Sequence, residues 1–300
     1  MVPGAERGCP DVCIGYHADR GQRWERTLST DGQILLVGFG NMGQALVRGW
    51  LNNGRAAASV RVVEPAASAR DIARRLGVFA NESVAVALAD FRPDVVVLAV
   101  KPNQIGSALA ECSTKVGATT VWVSIAAGKT ITALSEGLGA KAAIVRAMPN
   151  TPAAIGKGMT ALVANAGVTA DQRTLCTDLM AAVGAVAWLD DERHMDAVTA
   201  VSGSGPAYVF LLIECLERAA IDLGLAPALA RQLALATVSG AAAYAAVADA
   251  APAELRRRVT SPNGTTQAAL EVLMADDGLS GLMTRAVRAA AERSEQLSAA

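Results

Sequence analysis

From residue 34 to about residue 190, short unbroken apolar runs alternate with segments of helical period. Ile34, Leu35, Leu36 and Val37 form the first run, which stops at Gly38. A helical pattern begins at once with Met42, Ala45, Leu46, Gly49 and Trp50 and lasts to about Asn53. Residues 60–64, 78–79, 94–100, 120–124 and 142–145 read as further strands. Amphipathic segments lie between them, one through Ile72 and Leu76. Residues 94–100 are strongly β-branched and show no alternation, as expected of a central parallel strand covered on both faces. Residues 160–163 and 186–189 extend the series around a helix from about 169 to 183. This alternation predicts an α/β fold with a Rossmann-type, doubly wound parallel sheet.

After Asp190 the strand signal ends. Helical stretches are expected at 191–201, 206–223, 227–248, 252–259, 265–274 and 279–297, with Pro206, Pro227 and Pro252 placed where helices start. The chain therefore divides into a nucleotide-binding domain over 34–190 and an all-helical domain over 191–300. Residues 1–33 are polar and without period, and read as a disordered leader outside both. Cys9, Cys13 and His17 of that leader lack a fourth ligand and a CxxC pair, so no metal site is expected.

Composition narrows the partners. The net charge is −1 with no block of one sign, which leaves no electrostatic footprint for nucleic acid. Hydrophobic residues reach 52% with only 4% aromatic, so the apolar surface is mostly Ala, Val and Leu. Small side chains let helices approach closely, which points to a helical interface between subunits. The uncharged stretch 232–248, which no other exceeds in length, is shorter than the roughly 20 residues a bilayer span needs, and reads as an interface helix with no membrane partner. Five scattered cysteines suit reduced thiols and a cytoplasmic location. Residues 1–33 have no apolar centre of the kind a cleavable signal requires.

Gly38, Gly40 and Gly43 stand in the G-x-G-x-x-G spacing, between a strand and a helix. The first allows a tight turn, the second lets a pyrophosphate approach the backbone, and the third lets helix and strand pack closely. The turn Gly38, Phe39, Gly40, Asn41 and Met42 is thus expected to hold the pyrophosphate at a helix N-terminus. Glu64, at the end of the second strand, matches the acidic residue that bonds a ribose 2′-OH and favours NAD(H). Ser68, Arg70, Arg74 and Arg75 lie just downstream and can serve a 2′-phosphate, so NADP(H) or NAD(H) both stay open.

A bound nucleotide implies redox chemistry, and the question becomes which group moves a proton. His17 lies in the leader and His194 in the charged start 191–194, where a solvated role fits best. No lysine occurs from Asp191 to the end, which counts against hydroxy-acid chemistry that needs a titrating residue. A cyclic iminium arrives already protonated and accepts hydride directly, so placement against the nicotinamide suffices. Residues 259–270 supply suitable groups: a loop with Pro262, Asn263 and Gly264 opens a helix through Thr265, Thr266 and Gln267. Its N–H groups suit a carboxylate, although an ordinary capped helix has the same spacing.

That stretch resembles the signature of pyrroline-5-carboxylate reductases, a Ser-x-x-Gly-x-Thr core followed by an Ala/Leu helix. Residues 201–208 (VSGSGPAY), 146–152 (RAMPNTP) and 99–102 (AVKP) resemble three more segments of that family, in its order, and the likeness runs from about 34 to 297. The resemblance implies reduction of 1-pyrroline-5-carboxylate to L-proline, with NADP(H) or NAD(H) as hydride donor, in an all-helical C-terminal dimerisation domain joined to the sheet. It implies that Ser261, Asn263, Gly264, Thr265 and Thr266 bind the substrate, the backbone N–H groups and Ser261 taking its carboxylate. It further implies that Thr266 Oγ is the catalytic contact to the ring nitrogen. Ala99, Val100, Lys101 and Pro102, with Ala126 and Ala127, would border the nicotinamide and its ribose, and Asn81 would lie near the adenosine ribose. Lys101, followed by proline at a strand end, reads as positioned backbone and not as an acid. Met148 and Asn150 would shape the pocket floor, with core packing an equal reading for Met148. Many members prefer NADPH, so Glu64 is a departure. The family also implies an interlocked homodimer, often built into a larger ring. The competing readings are another two-domain imine or hydroxy-acid reductase and a non-catalytic nucleotide sensor.

Overall fold

A computed structural model describes residues 32–298 of the chain. Cys9, Cys13, His17 and nearly all of the expected leader lie outside the described residues. The elements are, in order, β1 (Ile34–Val37), α1 (Asn41–Asn52), β2 (Val60–Val63), α2 (Ala67–Arg75), β3 (Phe79–Asn81), α3 (Val84–Ala87), β4 (Val95–Leu98) and α4 (Ile105–Cys112). They continue with β5 (Val121–Ser124), α5 (Ile131–Leu138), β6 (Ala143–Met148), β7 (Gly158–Ala164), α6 (Ala170–Ala181) and β8 (Gly184–Trp188). Beyond these the described elements are helical: α7 (Met195–Val198), α8 (Gly205–Asp222), α9 (Pro227–Val247), α10 (Pro252–Arg258), α11 (Thr265–Leu273) and α12 (Leu279–Ser298).

The eight strands form one sheet in the order β3-β2-β1-β4-β5-β6-β7-β8. Strands β1 to β6 are parallel, with Ile34 of β1 in register with Val60 and with Val95. The order reverses between β1 and β4, and in open α/β sheets that switch leaves a crevice at the carboxyl ends of the strands. The unbroken apolar runs have a direct cause. Ile34 and Leu36 pack on one face with Val62, Val97, Val145 and Trp50 of α1, while Leu35 and Val37 pack on the other with Val96, Leu98, Ile144 and Leu134 of α5. Trp50 is fully buried and its indole N–H still donates to Leu179 O, 2.9 Å away, so burying its polar handle costs little.

Two expectations need correction. The sheet is not parallel throughout, because β7 runs antiparallel to β6 and β8 parallel to β7. Only 149–157 connects β6 to β7, too short for the crossover of a dozen or more residues that a parallel return needs. The stretch 191–201 is also not one helix. A 3₁₀ turn (Glu192–His194) precedes α7, and Thr199–Gly203 winds as a π-helical turn closed by Ser204 N–H donating to Thr199 O at 2.9 Å.

The chain packs as two compact units. Cys215–Ala269 forms one, and the remaining described residues form the other, so the division falls within α8 and α11. In the larger unit α12 is tied down through Ser294 Oγ, which donates to Asp196 Oδ1 at 2.6 Å. In the smaller unit α9 buries only Ala230 and Ala234, and its leucines stay exposed.

Candidate active site

The expected nucleotide residues come together at the carboxyl ends of β1 to β5. Gly38 has a φ of +95°, a conformation that L side chains rarely adopt, and a β-carbon there would meet Ala99 O at 2.6 Å. A β-carbon on Gly43 would meet Gly38 O at the same distance, so α1 can seat only with glycine at that position. Gly40 differs: an added β-carbon meets nothing within 4 Å. That open position, at the start of α1, is the cradle a pyrophosphate needs. The first-turn N–H groups of Asn41 and Met42 have no acceptor within the helix. Asn41 is exposed and Met42 half-buried, so the helix start is accessible.

The neighbouring strand ends carry the rest. Backbone bonds continue past the strands, from Gly38 to Val63 O (2.8 Å), Glu64 to Asn81 O (3.0 Å) and Ala99 to Val37 O (2.7 Å). These place Gly38, Glu64, Asn81 and Ala99 along one edge. Asn81 Oδ1 is buried there without a partner among the described residues, an acceptor left over at the end of β3. Val100 is half-buried and Lys101 and Pro102 are exposed, opening the turn after β4. Lys101 N–H donates to Gln104 Oε1 at 3.3 Å, which fits a positioned backbone. Phe39 and Ala126 both turn their side chains into the core, so only their backbones are available to a ligand, and Ala127 beside them is half-buried. Together the open glycine, the helix start and the orphaned acceptor fit a dinucleotide.

Glu64 is committed to this turn. One carboxylate oxygen accepts from Phe39 N–H at 2.8 Å and the other from Ala66 N–H at 2.9 Å. Arg70 donates from Nη1 to Glu64 O and Pro65 O, at 2.8 and 2.5 Å. Arg74 is occupied by Asp71 Oδ1 and Ala80 O.

Sequence reasoning missed two features of the far side of the sheet. Arg146, in mid-strand β6 and only 3% exposed, donates to Glu192 Oε1 at 2.9 Å, and the same oxygen accepts Ile131 N–H at the start of α5. An arginine inside an otherwise apolar strand was the available signal, since buried charges need partners. Asn150 joins two motifs read separately. Its amide donates to Ser202 O (3.2 Å) and Ser202 Oγ (3.3 Å) and its Oδ1 accepts Met159 N–H (2.8 Å), while Gly203 leaves room for the Met148 methyl. Asn150 thus holds the π-helical turn, a distortion that recurs at functional sites. His194 is exposed, as expected, and beside it Arg193 holds the Asp191 carboxyl down at about 2.

The substrate-loop residues are gathered in one turn in the smaller unit. Asn263 takes a left-handed φ of 58°, and its N–H donates to Gln267 Oε1 at 2.8 Å. Gly264 N–H is already used by Ser261 O at 3.1 Å. The donors left for a carboxylate are therefore the first-turn N–H groups of Thr265 and Thr266, which have no acceptor within α11. Ser261 and Thr265 are exposed and Thr266 is half-buried. No group of three or more metal-ligating side chains occurs among the described residues.

Comparison with known proteins converges on the same chemistry. Residues 192–297 match a family described as pyrroline-5-carboxylate reductase dimerisation, and residues 33–151 match one described as NADP oxidoreductase, coenzyme F420-dependent. A solved pyrroline-5-carboxylate reductase from Coxiella burnetii is 38% identical with a TM-score of 0.84, covering 89% of this chain and 98% of that one. A Plasmodium falciparum pyrroline carboxylate reductase, solved with NADP bound, is 29% identical with a TM-score of 0.78 over 90% of this chain and 99% of its own. The pyrroline-5-carboxylate reductase of Pseudomonas aeruginosa is 44% identical over 88% of this chain and 96% of its own length. With a glycine turn that fits a dinucleotide and likeness of that extent across both halves, the chain belongs to the pyrroline-5-carboxylate reductase family.

Proposed function

We propose that this protein reduces 1-pyrroline-5-carboxylate to L-proline, drawing on NADPH or NADH. The observation that carries the reading is the turn 259–270, which offers hydroxyls and helix-start N–H groups and contains no ionisable side chain. Such a turn can bind and orient, but it cannot act as an acid or base. It therefore suits an electrophile that already bears its proton. A nicotinamide nucleotide held at the glycine turn would supply a hydride to the C=N carbon, leaving the ring nitrogen as an amine.

The chain's own part is placement. Thr265 and Thr266 N–H groups donate to the substrate carboxylate, joined by Ser261 Oγ, with Asn263 and Gly264 shaping the turn. The iminium N–H donates to Thr266 Oγ, which fixes the ring plane. On the cofactor side, Gly38 to Met42 take the pyrophosphate, Glu64 and Asn81 the adenosine ribose, and 99–102 with 126–127 the nicotinamide ribose. We keep the functional division near Asp190, since the last described strand ends at Trp188. A homodimer, built into a larger ring, covers the apolar faces of α8 and α9. The stretch Glu192–Asp222 is long and apolar enough to cross a membrane by length and composition. We read it as interface, because it lies within the dimerisation match. Buried free thiols at Cys112 and Cys176 suit a cytoplasmic setting.

The test is spectrophotometric: loss of NADPH and NADH absorbance, with and without pyrroline-5-carboxylate. Oxidation only with the pyrroline is expected. Oxidation with a hydroxy acid or a different imine instead, or binding without oxidation, would favour the competing readings. Thr266→Ala should lower turnover roughly 10- to 100-fold, the size of a lost hydrogen bond to a charged group, while cofactor affinity stays unchanged. Near-normal turnover would remove Thr266 from the mechanism.

A further inference from the structure

We propose that Glu64 makes this enzyme select NADH over NADPH. The inference rests on the cofactor half of the reading above and not on the identity of the substrate. In this class of fold the adenosine ribose lies beside the end of the second strand, where an acidic side chain accepts from the 2′-hydroxyl. Sequence alone left a way out, because a carboxylate that turned aside would leave room for a 2′-phosphate. The structure closes that route. Glu64 is clamped at both oxygens, to Phe39 N–H of the glycine turn and to Ala66 N–H at the head of α2.

An ionised carboxylate has about four acceptor positions, so two amides leave lone pairs for ribose hydroxyls. A 2′-phosphate offers no hydroxyl donor at that position and brings negative charge against a carboxylate that has no other place to go. Reversing this preference would take a cation reaching over the turn. Arg70 folds its Nη1 back onto the carbonyls of Glu64 and Pro65, and Arg74 is spent on Asp71 and Ala80 O. Ser68 and Arg75 stand exposed on α2. The clamped carboxylate thus favours a free 2′-hydroxyl, and the hydrogen bonds that Arg70 and Arg74 make go to other acceptors.

The test is equilibrium binding of NADH and NADPH to the full chain without pyrroline, read by the fluorescence of the bound nicotinamide. NADH should bind at least tenfold tighter. Because exposed charges are screened by salt, the gap should narrow as ionic strength rises. Glu64→Ser and Glu64→Gln should reduce the NADH-to-NADPH affinity ratio at least tenfold, whatever each does to absolute affinity. Equal or tighter NADPH binding by the unaltered protein would overturn the proposal. So would variants that weaken both dinucleotides alike, since that is what a purely structural clamp would do. Binding of neither dinucleotide would sink the reductase reading itself, whereas binding of both without NADH preference would sink only this inference.

Discussion

In the strand-bearing unit Leu36, Val62, Val97 and Val145 are fully buried, whereas in Cys215–Ala269 Leu229, Leu233 and Leu235 stand 45 to 46% exposed. The contrast extends to the two candidate binding turns, one in each unit. The glycine turn is fixed by contacts inside one copy of the chain, with Ala99 against Gly38 and Glu64 bonded to Phe39. The turn from 259 to 269 rides on a unit whose α9 leucines stay exposed in a single copy. Fully burying each leucine contributes about 1.5–3 kcal/mol, so association of copies is the natural outlet, in keeping with the dimerisation family that 192–297 matches. One copy therefore closes its own glycine turn, while the unit that carries the proposed substrate turn leaves apolar surface for a second copy to cover.

The sharpest way to break this contrast is to abolish assembly. Leu229→Asp with Leu233→Asp places two charges on one exposed face of α9, where a single copy tolerates them. Light scattering should show the mass falling toward the 30.7 kDa of one chain. Turnover should vanish while dinucleotide binding stays within about twofold, less than the 1.4 kcal/mol that a tenfold change represents. A monomer with normal turnover would show that the helical unit needs no second copy. The next largest effect belongs to the strand-bearing unit alone. Glu192→Ala leaves Arg146 buried without its carboxylate and should cost about 3–5 kcal/mol in urea unfolding. Arg146→Met with Glu192→Leu should recover much of that loss. A double variant as unstable as the single one would assign the cost to the Ile131 cap.

Where the strands lie was readable because both faces of the sheet are covered, which turns each strand into a continuous apolar run. The glycine spacing was readable for an equally local reason. What escaped depends on distant partners. Glu64 meets Phe39 across 25 positions, Arg146 meets Glu192 across 46, and Asn150 meets Ser202 across 52. The antiparallel turn to β7 was implicit in the short 149–157 link, but counting apolar runs does not reveal direction. In the candidate site, the loop 259–270 stood out by composition and by its likeness to a family signature. That Gly264 has already used its N–H depends on how the backbone turns at Asn263, and residue types alone do not report that.

Substitutions within the glycine turn sharpen the contrast on a smaller scale. Gly38→Ala forces a β-carbon against Ala99 O in a left-handed conformation, and should cost about 1–3 kcal/mol of stability. Gly40→Ala meets open space and already has an extended backbone, with φ −70° and ψ −168°. Its melting temperature should stay unchanged while dinucleotide affinity drops about tenfold, since 1.4 kcal/mol of lost approach is enough for that. A Gly40→Ala protein with intact affinity would move the phosphates elsewhere.

The last comparison concerns the thiols. Cys112 and Cys176 are buried in the strand-bearing unit and burial pushes both up to about 12, whereas Cys215 in the other unit is exposed. An acid whose folded value is raised keeps its proton in the native state after the unfolded chain has lost it. Stability is therefore unaffected below the ordinary thiol value of about 9 and falls as pH rises from there toward 12, by up to about 1.4 kcal/mol per pH unit for each thiol. Urea midpoints between pH 8 and 11 should show the decline, and Cys112→Ala with Cys176→Ala should flatten it. Iodoacetamide at pH 8 should leave both thiols unmodified until urea unfolds the chain. Labelling of Cys112 or Cys176 in the native protein would mean that the strand-bearing unit opens far more readily than its packing implies, and the contrast between a self-sufficient half and a dependent one would fail on the side argued to be secure.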